Sequence, residues 1–362
     1  MNGRRAVAER HLGGAHLVRR LLPLAALLLL VGCSGGTSPA SQPTSGGGAS
    51  ASGQPAAPRP IKVAHAFISA ETLPIWVAQD QQLFEKYGLR VEAVPLQTSA
   101  QVAPAMTSGD VQIALTTGSG EVEFNLSGGD HVIVAGYSSD MRYFLEARPD
   151  IQRVEDLRGK KIGITRRGGA IDVAAHLLLE KHGMTYGSDV AIIELGTAQN
   201  QIQGLSAGVV DAAIVALPTN LMAEREGAHL VEDTKQHGIK FPTNVIAVRR
   251  GYLQSNPDVV RDYLKAHIEA VELIRRDKPL ALRLLSKGTD TTDQELLEKS
   301  YELYIQDLQD IPYPSPEAIQ GALDAIARDK PEARNAKPSD FYDDRLVREL
   351  DQSGFIHGLR GS

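Results

Sequence analysis

Cysteine is almost missing from this chain: Cys33 is the only one in 362 residues. One thiol builds no disulfide framework, and this one sits beside an N-terminal apolar run, so none is left for catalysis. Aromatic residues reach only 5 %, and Trp76 is the sole tryptophan. Basic charge is not in excess, since the formal net charge is −6, and nucleic acid is therefore a poor partner. After Val31 no stretch is apolar enough to cross a bilayer. The histidines are scattered, with His176 and His182 six apart instead of at the i, i+4 spacing of a helical metal pair, so no metal is expected. No Walker lysine pattern or full dinucleotide fingerprint occurs, and no cofactor is expected.

What is present is apolar mass: 42 % hydrophobic residues, enough for a large core in one or two domains. Before that core comes a different kind of sequence. Arg4, Arg5, Arg10, Arg19 and Arg20 precede the apolar run Leu21 to Val31, which is too short to span as a mature helix. The run ends in Leu30-Val31-Gly32-Cys33, which resembles the lipobox of bacterial lipoproteins. Residues 1–32 are thus expected to be a lipoprotein signal peptide, with Cys33 lipidated. Residues 33–60, rich in Gly, Ser, Pro, Ala and Thr, are expected to be a flexible tether with a mean reach on the order of 30 Å. The folded body would then sit outside the cytoplasm, held at a membrane surface.

From Ile61 onward short apolar runs alternate with helical patterns, the signature of a mainly parallel sheet flanked by helices. The expected strands are Ile61 to Phe67, Val91 to Leu96, Val111 to Leu115 and His131 to Ala135. A single helix is expected from Trp76 through Phe84 to Tyr87-Gly88. The wording then repeats: Phe84 to Leu89 is echoed by Leu179 to Met184, and Gln101 to Asp110 with VQIAL by Gln201 to Asp211 with AAIVA. Two copies suggest two similar α/β lobes. The boundaries read as 61–145 for the first part of lobe I and 146–242 for lobe II. Residues 243–362 return to lobe I as amphipathic helices. Extended segments at Tyr143 to Arg148 and Asn244 to Arg249 would join the lobes, an arrangement suited to hinge closure.

One turn stands out. In KKIGITRRGGAIDVAAHLLLEKHG, the strand Ile162 to Ile164 breaks at Arg166-Arg167-Gly168-Gly169 and a helix follows. Free N–H groups and the positive end of the helix dipole would face outward beside two arginines, as half of a small-ligand site.

The set of phrases LPIWVAQDQQLFEKYGLRVE, VEDLRGKKIGI, TRRGGAIDVAAHLLLEKHG, GLSAGVVDAAIVALP and FPTNVIAVRRGYLQSNPDVVRDYLKA resembles substrate-binding proteins of ABC importers. Within that class the resemblance is to the family that binds sulfonates, nitrate, taurine and thiamine precursors. It covers Ile61 to about Ser286. It implies the two-lobed periplasmic-binding-protein (type II) fold, with a ligand cleft between the lobes. It also implies a membrane permease with its ATPase as partner, and a monomer is expected.

Carried onto this chain, the ligand turns hold Ser69, Thr72, Thr117, Gly118, Ser119, Tyr137, Arg166, Gly168, Gly169, Asp172, Thr197 and Pro218, with Trp76 and Asn244 beside them. Several of these have a plainer reading. The glycines serve a tight turn, Asp172 suits a first helical turn, the hydroxyls can cap helices, and the spacing of Trp76 with Leu83 and Phe84 favours core packing. The arginines favour a carboxylate or sulfonate ligand, while Trp76 and Asp172 favour a heterocycle. The function expected is solute capture without chemistry. A sensory binding module is an alternative. A synthase of the thiamine pyrimidine is a third, but its cysteine-rich motif is absent here.

Overall fold

Each of the two sheets is built around a short strand with no exposed residue: Ile113–Thr116 in one and Ala212–Val215 in the other. Strands covered on both faces read as continuous apolar runs, which is why these two carry no alternation. The computed structural model describes residues 57–66, 68–96 and 101–361. The expected signal peptide, the lipidation site Cys33 and nearly all of the tether lie outside the described residues, as does Phe67. All described residues fall in one unit, Gln54–Ser362.

In chain order the first half runs β1 (Arg59–His65), α1 (Leu73–Asp80), α2 (Leu83–Lys86), β2 (Leu89–Pro95), α3 (Val102–Ser108), β3 (Ile113–Thr116), α4 (Gly118–Leu126) and β4 (His131–Asp140). Next come β5 (Phe144–Ala147), β6 (Lys161–Ile164), α5 (Ala170–Lys181), β7 (Ala191–Glu194), α6 (Ala198–Ser206), β8 (Ala212–Val215), α7 (Thr219–Arg225) and β9 (His229–Asp233). The remainder is β10 (Lys240–Arg249), α8 (Arg250–Ser255), α9 (Pro257–Arg276), α10 (Lys278–Thr289), α11 (Gln294–Asp307), α12 (Pro316–Ile326), α13 (Arg345–Gln352) and α14 (Phe355–Arg360).

The sheet orders are β2-β1-β3-β10-β4 and β7-β6-β8-β5-β9. In each, the first three strands are parallel and the last two run antiparallel to their neighbours. The sheets thus share one topology, and the sequence echoes fall at equivalent places in it. The helix ends at Gly88 and Gly183, both at positive φ, lead into β2 and β7. A left-handed residue there suits glycine, which has no Cβ to clash. The fourth position is filled by the chain segments expected to join the lobes: β10 enters the first sheet and β5 the second.

Helix α9 buries Val260, Tyr263, Leu264, Ile268 and Ile274 against the first sheet's cluster. Burying each such side chain stabilises the fold by about 1.5–3 kcal/mol. Helices α9, α10, α13 and α14 pack with the first cluster. Helix α12 lies on β10 of the same sheet and on α4, its Ile319, Ala322 and Leu323 joining a second cluster that runs from Ile133 and Val245 of the first sheet into the second. The expected single helix over 76–87 is instead two helices, because Gln82 adopts φ 53° between α1 and α2. The expected strand end at Gly136-Tyr137 is likewise not an end. β4 runs on to Asp140 because β10 pairs with it along most of its length.

Candidate functional site

The strand ends converge on a cavity of about 150 Å³. Ser69 and Glu71 reach it from the segment after β1, Thr117 from the residue after β3, and Ala216 and Leu217 from the turn after β8. Ser138 and Asp140 come from the end of β4, Thr243 and Asn244 from β10, and Tyr304 and Asp307 from α11. Both sheets therefore contribute walls, and the crossing segments 138–144 and 243–244 form the floor common to them. Clefts outside the carboxyl ends of strands are where open α/β sheets hold ligands. A second, mostly apolar cavity of about 220 Å³ shares Ser69 and Leu217 with the first and adds Ile68, Pro218, Met222 and Leu297.

The electrostatics of the first cavity are acidic. Its lining carries Glu71, Asp140 and Asp307 against one cation, Arg142. Arg142 is already engaged, 3.3 Å from Asp233 and 3.4 Å from Asp307. Lys235 is bound to Asp307 and Lys240 to Asp140. Glu71 has no cationic partner among the described residues; its carboxylate accepts from the Ser69 hydroxyl. Burial raises the pKa of Glu71, against the lowering effect of that hydrogen bond. Burial also raises Asp307 and, with the Glu71 charge, Tyr143 and Tyr304. Three polar atoms of the lining residues have no hydrogen-bond partner among the described residues: Asn244 Oδ1, in a residue 3 % exposed, the Tyr304 hydroxyl, and Arg142 Nε, which keeps only its 3.3 Å ion pair with Asp233. A buried acceptor left unpaired costs about 1–3 kcal/mol. Asn244 Oδ1 is thus an acceptor without a donor, and the Tyr304 hydroxyl can either donate or accept.

Of the residues expected from sequence, Ser69, Thr117 and Asn244 line this cavity and Pro218 lines its apolar neighbour. The others lie elsewhere. Trp76 packs on Gly288 of α10, where an added Cβ would meet its ring at 2.4 Å, and its half-buried ring lines a separate hollow with Gln79, Asp80 and Lys287. Tyr137 is buried beside the His267 ring at 4.6 Å, behind the cavity wall. Gly118 is a close-packing position, since a Cβ there would lie 2.5 Å from Pro242. Thr72 is wholly buried and Ser119 half-buried on α4, neither among the cavity's lining.

The glycine turn is closed on itself. Gly168, at φ 70°, donates its N–H to Asp172 at 2.9 Å, and Asp172 also accepts from the Tyr186 hydroxyl. Gly169 is the residue preceding α5, and Arg166 is exposed. Arg167 pairs with Glu194 at 3.3 Å. Thr197 caps α6 by accepting from Asn200 N at 3.1 Å. None of these residues lines either cavity. An acid four residues on, Asp172, thus supplies a partner within the turn for the Gly168 N–H.

Sequence reasoning missed Glu71, Arg142, Tyr143, Tyr304 and Asp307. Glu71 stood inside the expected turn Ser69 to Thr72, so its charge was the available signal. Tyr304 and Asp307 lie in a generic helical stretch, and only the chain's return brings them here.

A family model described as NMT1/THI5 like matches residues 69–278. The binding protein YtlA of Bacillus subtilis (strain 168) is 22 % identical over 250 residues, covering 67 % of this chain and 75 % of that one. Among solved structures, the periplasmic aliphatic sulphonate binding protein SsuA from Escherichia coli matches with TM-score 0.66 and 17 % identity, over 76 % of this chain and 94 % of its own. The periplasmic nitrate-binding protein NrtA from Synechocystis PCC 6803 matches with TM-score 0.67 and 14 % identity, over 82 % and 89 %. At such identity the likeness carries the fold, which is that of the periplasmic binding proteins.

Proposed function

The chain belongs to the NMT1/THI5 like family, and on that premise we propose that it is an extracytoplasmic solute-binding protein of an ABC importer. It captures a small polar molecule between its two lobes and delivers it to a membrane permease with its ATPase. The lobes meet at the crossing segments, so that 61–145 and 243–362 act against 146–242, and Cys33 carries the lipid that holds the protein at the membrane. The observation that supports this reading is the cavity lined from both sheets at their strand ends. Closure around a guest that touches both walls is a population shift toward the liganded form.

The same cavity favours one kind of guest. Its one lining cation, Arg142, is already paired, while Glu71 has no cationic partner among the described residues and the Asn244 side chain, with its unpartnered Oδ1, is part of the lining. A ligand presenting N–H donors, or a positive charge, complements them; a bare sulfonate or nitrate does not. The described lining holds no histidine or cysteine, and the only cysteine of the chain is Cys33, so binding is favoured over catalysis. The test is a thermal-shift screen of the purified protein against amines, aminopyrimidines, sulfonates, carboxylates and nitrate. A ligand bound only by the native state raises Tm. Shifts with the first two groups alone are expected; shifts with oxyanions alone would contradict the ligand class, and turnover of any hit would contradict the binding role.

A further inference from the structure

Outside the cavity, three side chains from two segments of the chain bring their donor atoms to one point. His182 follows the end of α5, Glu232 lies in the edge strand β9, and His237 closes the short 3-10 turn Thr234–His237. His182 Nε2 is 3.1 Å from Glu232 Oε1, and His237 Nε2 is bonded to the same oxygen. The three ligand atoms lie within 4.8 Å of one another. We propose that His182, Glu232 and His237 form a binding site for a divalent transition-metal ion, zinc foremost.

The chemistry suits that ion. Two imidazole nitrogens and one carboxylate are a zinc donor set, with metal–ligand distances of about 2.0–2.2 Å that place tetrahedral ligands about 3.3–3.5 Å apart. The existing spacing needs only small side-chain shifts to reach this. His182 carries a further feature of metal-bound histidine: its other nitrogen, Nδ1, is 2.8 Å from the Glu155 carboxylate. Such a partner fixes the tautomer and turns Nε2 toward the metal. The side chains of both histidines are 20 % exposed and that of Glu232 9 %, so the site is walled yet open to an entering ion. Bound there, the ion would pin the end of α5 to β9 and the turn after it. The next residue on β9, Asp233, holds Arg142 at the cavity, so the clamp would steady one wall of the site without belonging to it.

The test is calorimetric titration of Zn²⁺ into the full chain after chelator treatment, without a histidine tag, beside the His182→Ala/His237→Ala double variant and Glu155→Gln. One saturable equivalent is expected in the wild type, weakened at least 100-fold in the double variant and about tenfold in Glu155→Gln. The wild type should also gain Tm with added Zn²⁺, and Co²⁺ should give the visible absorption of a tetrahedral site. Absence of saturable binding, or less than a tenfold loss in a double variant with wild-type circular dichroism, would overturn the proposal. Should the double variant not fold, a featureless Co²⁺ spectrum in the wild type would do the same.

Discussion

The Arg142 guanidinium lies 3.4 Å from Asp307, and this pair ties the segment entering the second sheet to the end of α11. Lys235, just past β9, reinforces the contact through Asp307 and the Gln306 carbonyl, the latter at 3.0 Å. At its opposite end α11 is gripped by Arg225 of α7, which meets Asp293 and Glu295. Helix α11 packs with the first sheet's cluster through Leu297, Tyr301 and Tyr304, so both grips link the lobes. Exposed ion pairs are worth about 0.2–1 kcal/mol each. The Arg225→Ala/Lys235→Ala variant is therefore expected to bind ligand roughly two- to tenfold more weakly with an unchanged core. Calorimetry with any hit from the thermal-shift screen checks this; unaltered affinity would mean that the two grips do not hold the lobes together.

Among the described residues, Glu71 is the carboxylate of the cavity lining that has no cationic partner. Glu71→Gln keeps the shape and removes the charge, and a charged hydrogen bond contributes about 1.5–3 kcal/mol. Affinity for a cationic ligand is expected to fall tenfold or more. In the wild type it should also fall as pH drops through the raised pKa of this group, because protonation removes the charge. A variant that binds amines as well as the wild type, with the same pH profile, would remove Glu71 from the site.

The Gly168–Asp172 turn is expected to matter for stability and not for ligand. Asp172→Ala removes the acceptor of the exposed Gly168 N–H and the half-buried Tyr186 hydroxyl, at about 0.5–1.5 kcal/mol each, so Tm should fall by a few degrees. Arg166→Ala/Arg167→Ala should leave affinity within twofold. A large affinity loss in the arginine variant would restore the turn as a binding element.

His267 sits fully buried against Tyr137 and Tyr263 with neither ring nitrogen partnered among the described residues. Burial pushes its pKa down to about 3, while an unfolded histidine titrates near 6.5. Its depressed pKa means that below about 6.5 the unfolded state binds the proton and the native state does not. Stability is intact above that pH and is lost as pH falls toward 3, by at most about 1.4 kcal/mol per unit. Urea unfolding at pH 7.5 and 5 should show a smaller acid loss in His267→Leu than in the wild type. Equal losses in both would show that the histidine is protonated in the native state.

Much of this was legible in the sequence because it rests on local patterns. The strand–helix alternation, the two echoes and the joining segments depend on periodicity and turn chemistry, and they reappear as two sheets of one topology. Where tertiary pairing decides, the pattern was silent. β10 lengthens β4 past Gly136, and Gln82 breaks a helix that its neighbours would continue. The site was the hardest part, since Ser69 and Thr117 follow strand ends and Asn244 lies within β10, while Tyr304 and Asp307 arrive from 60 or more residues beyond Asn244. At the arginine turn the sequence pattern suits an acid near the helix dipole, and it carries no sign that Asp172 accepts from the Gly168 N–H and the Tyr186 hydroxyl.

A crystal structure of the protein with the amine or aminopyrimidine giving the largest Tm gain is the most direct test. The ligand is expected between the sheets, its donors on Glu71 and Asn244 Oδ1, with Thr117 and Leu217 on opposite walls. A ligand seated at the Gly168 turn or outside the cleft, with the cavity between the lobes left vacant, would contradict the account.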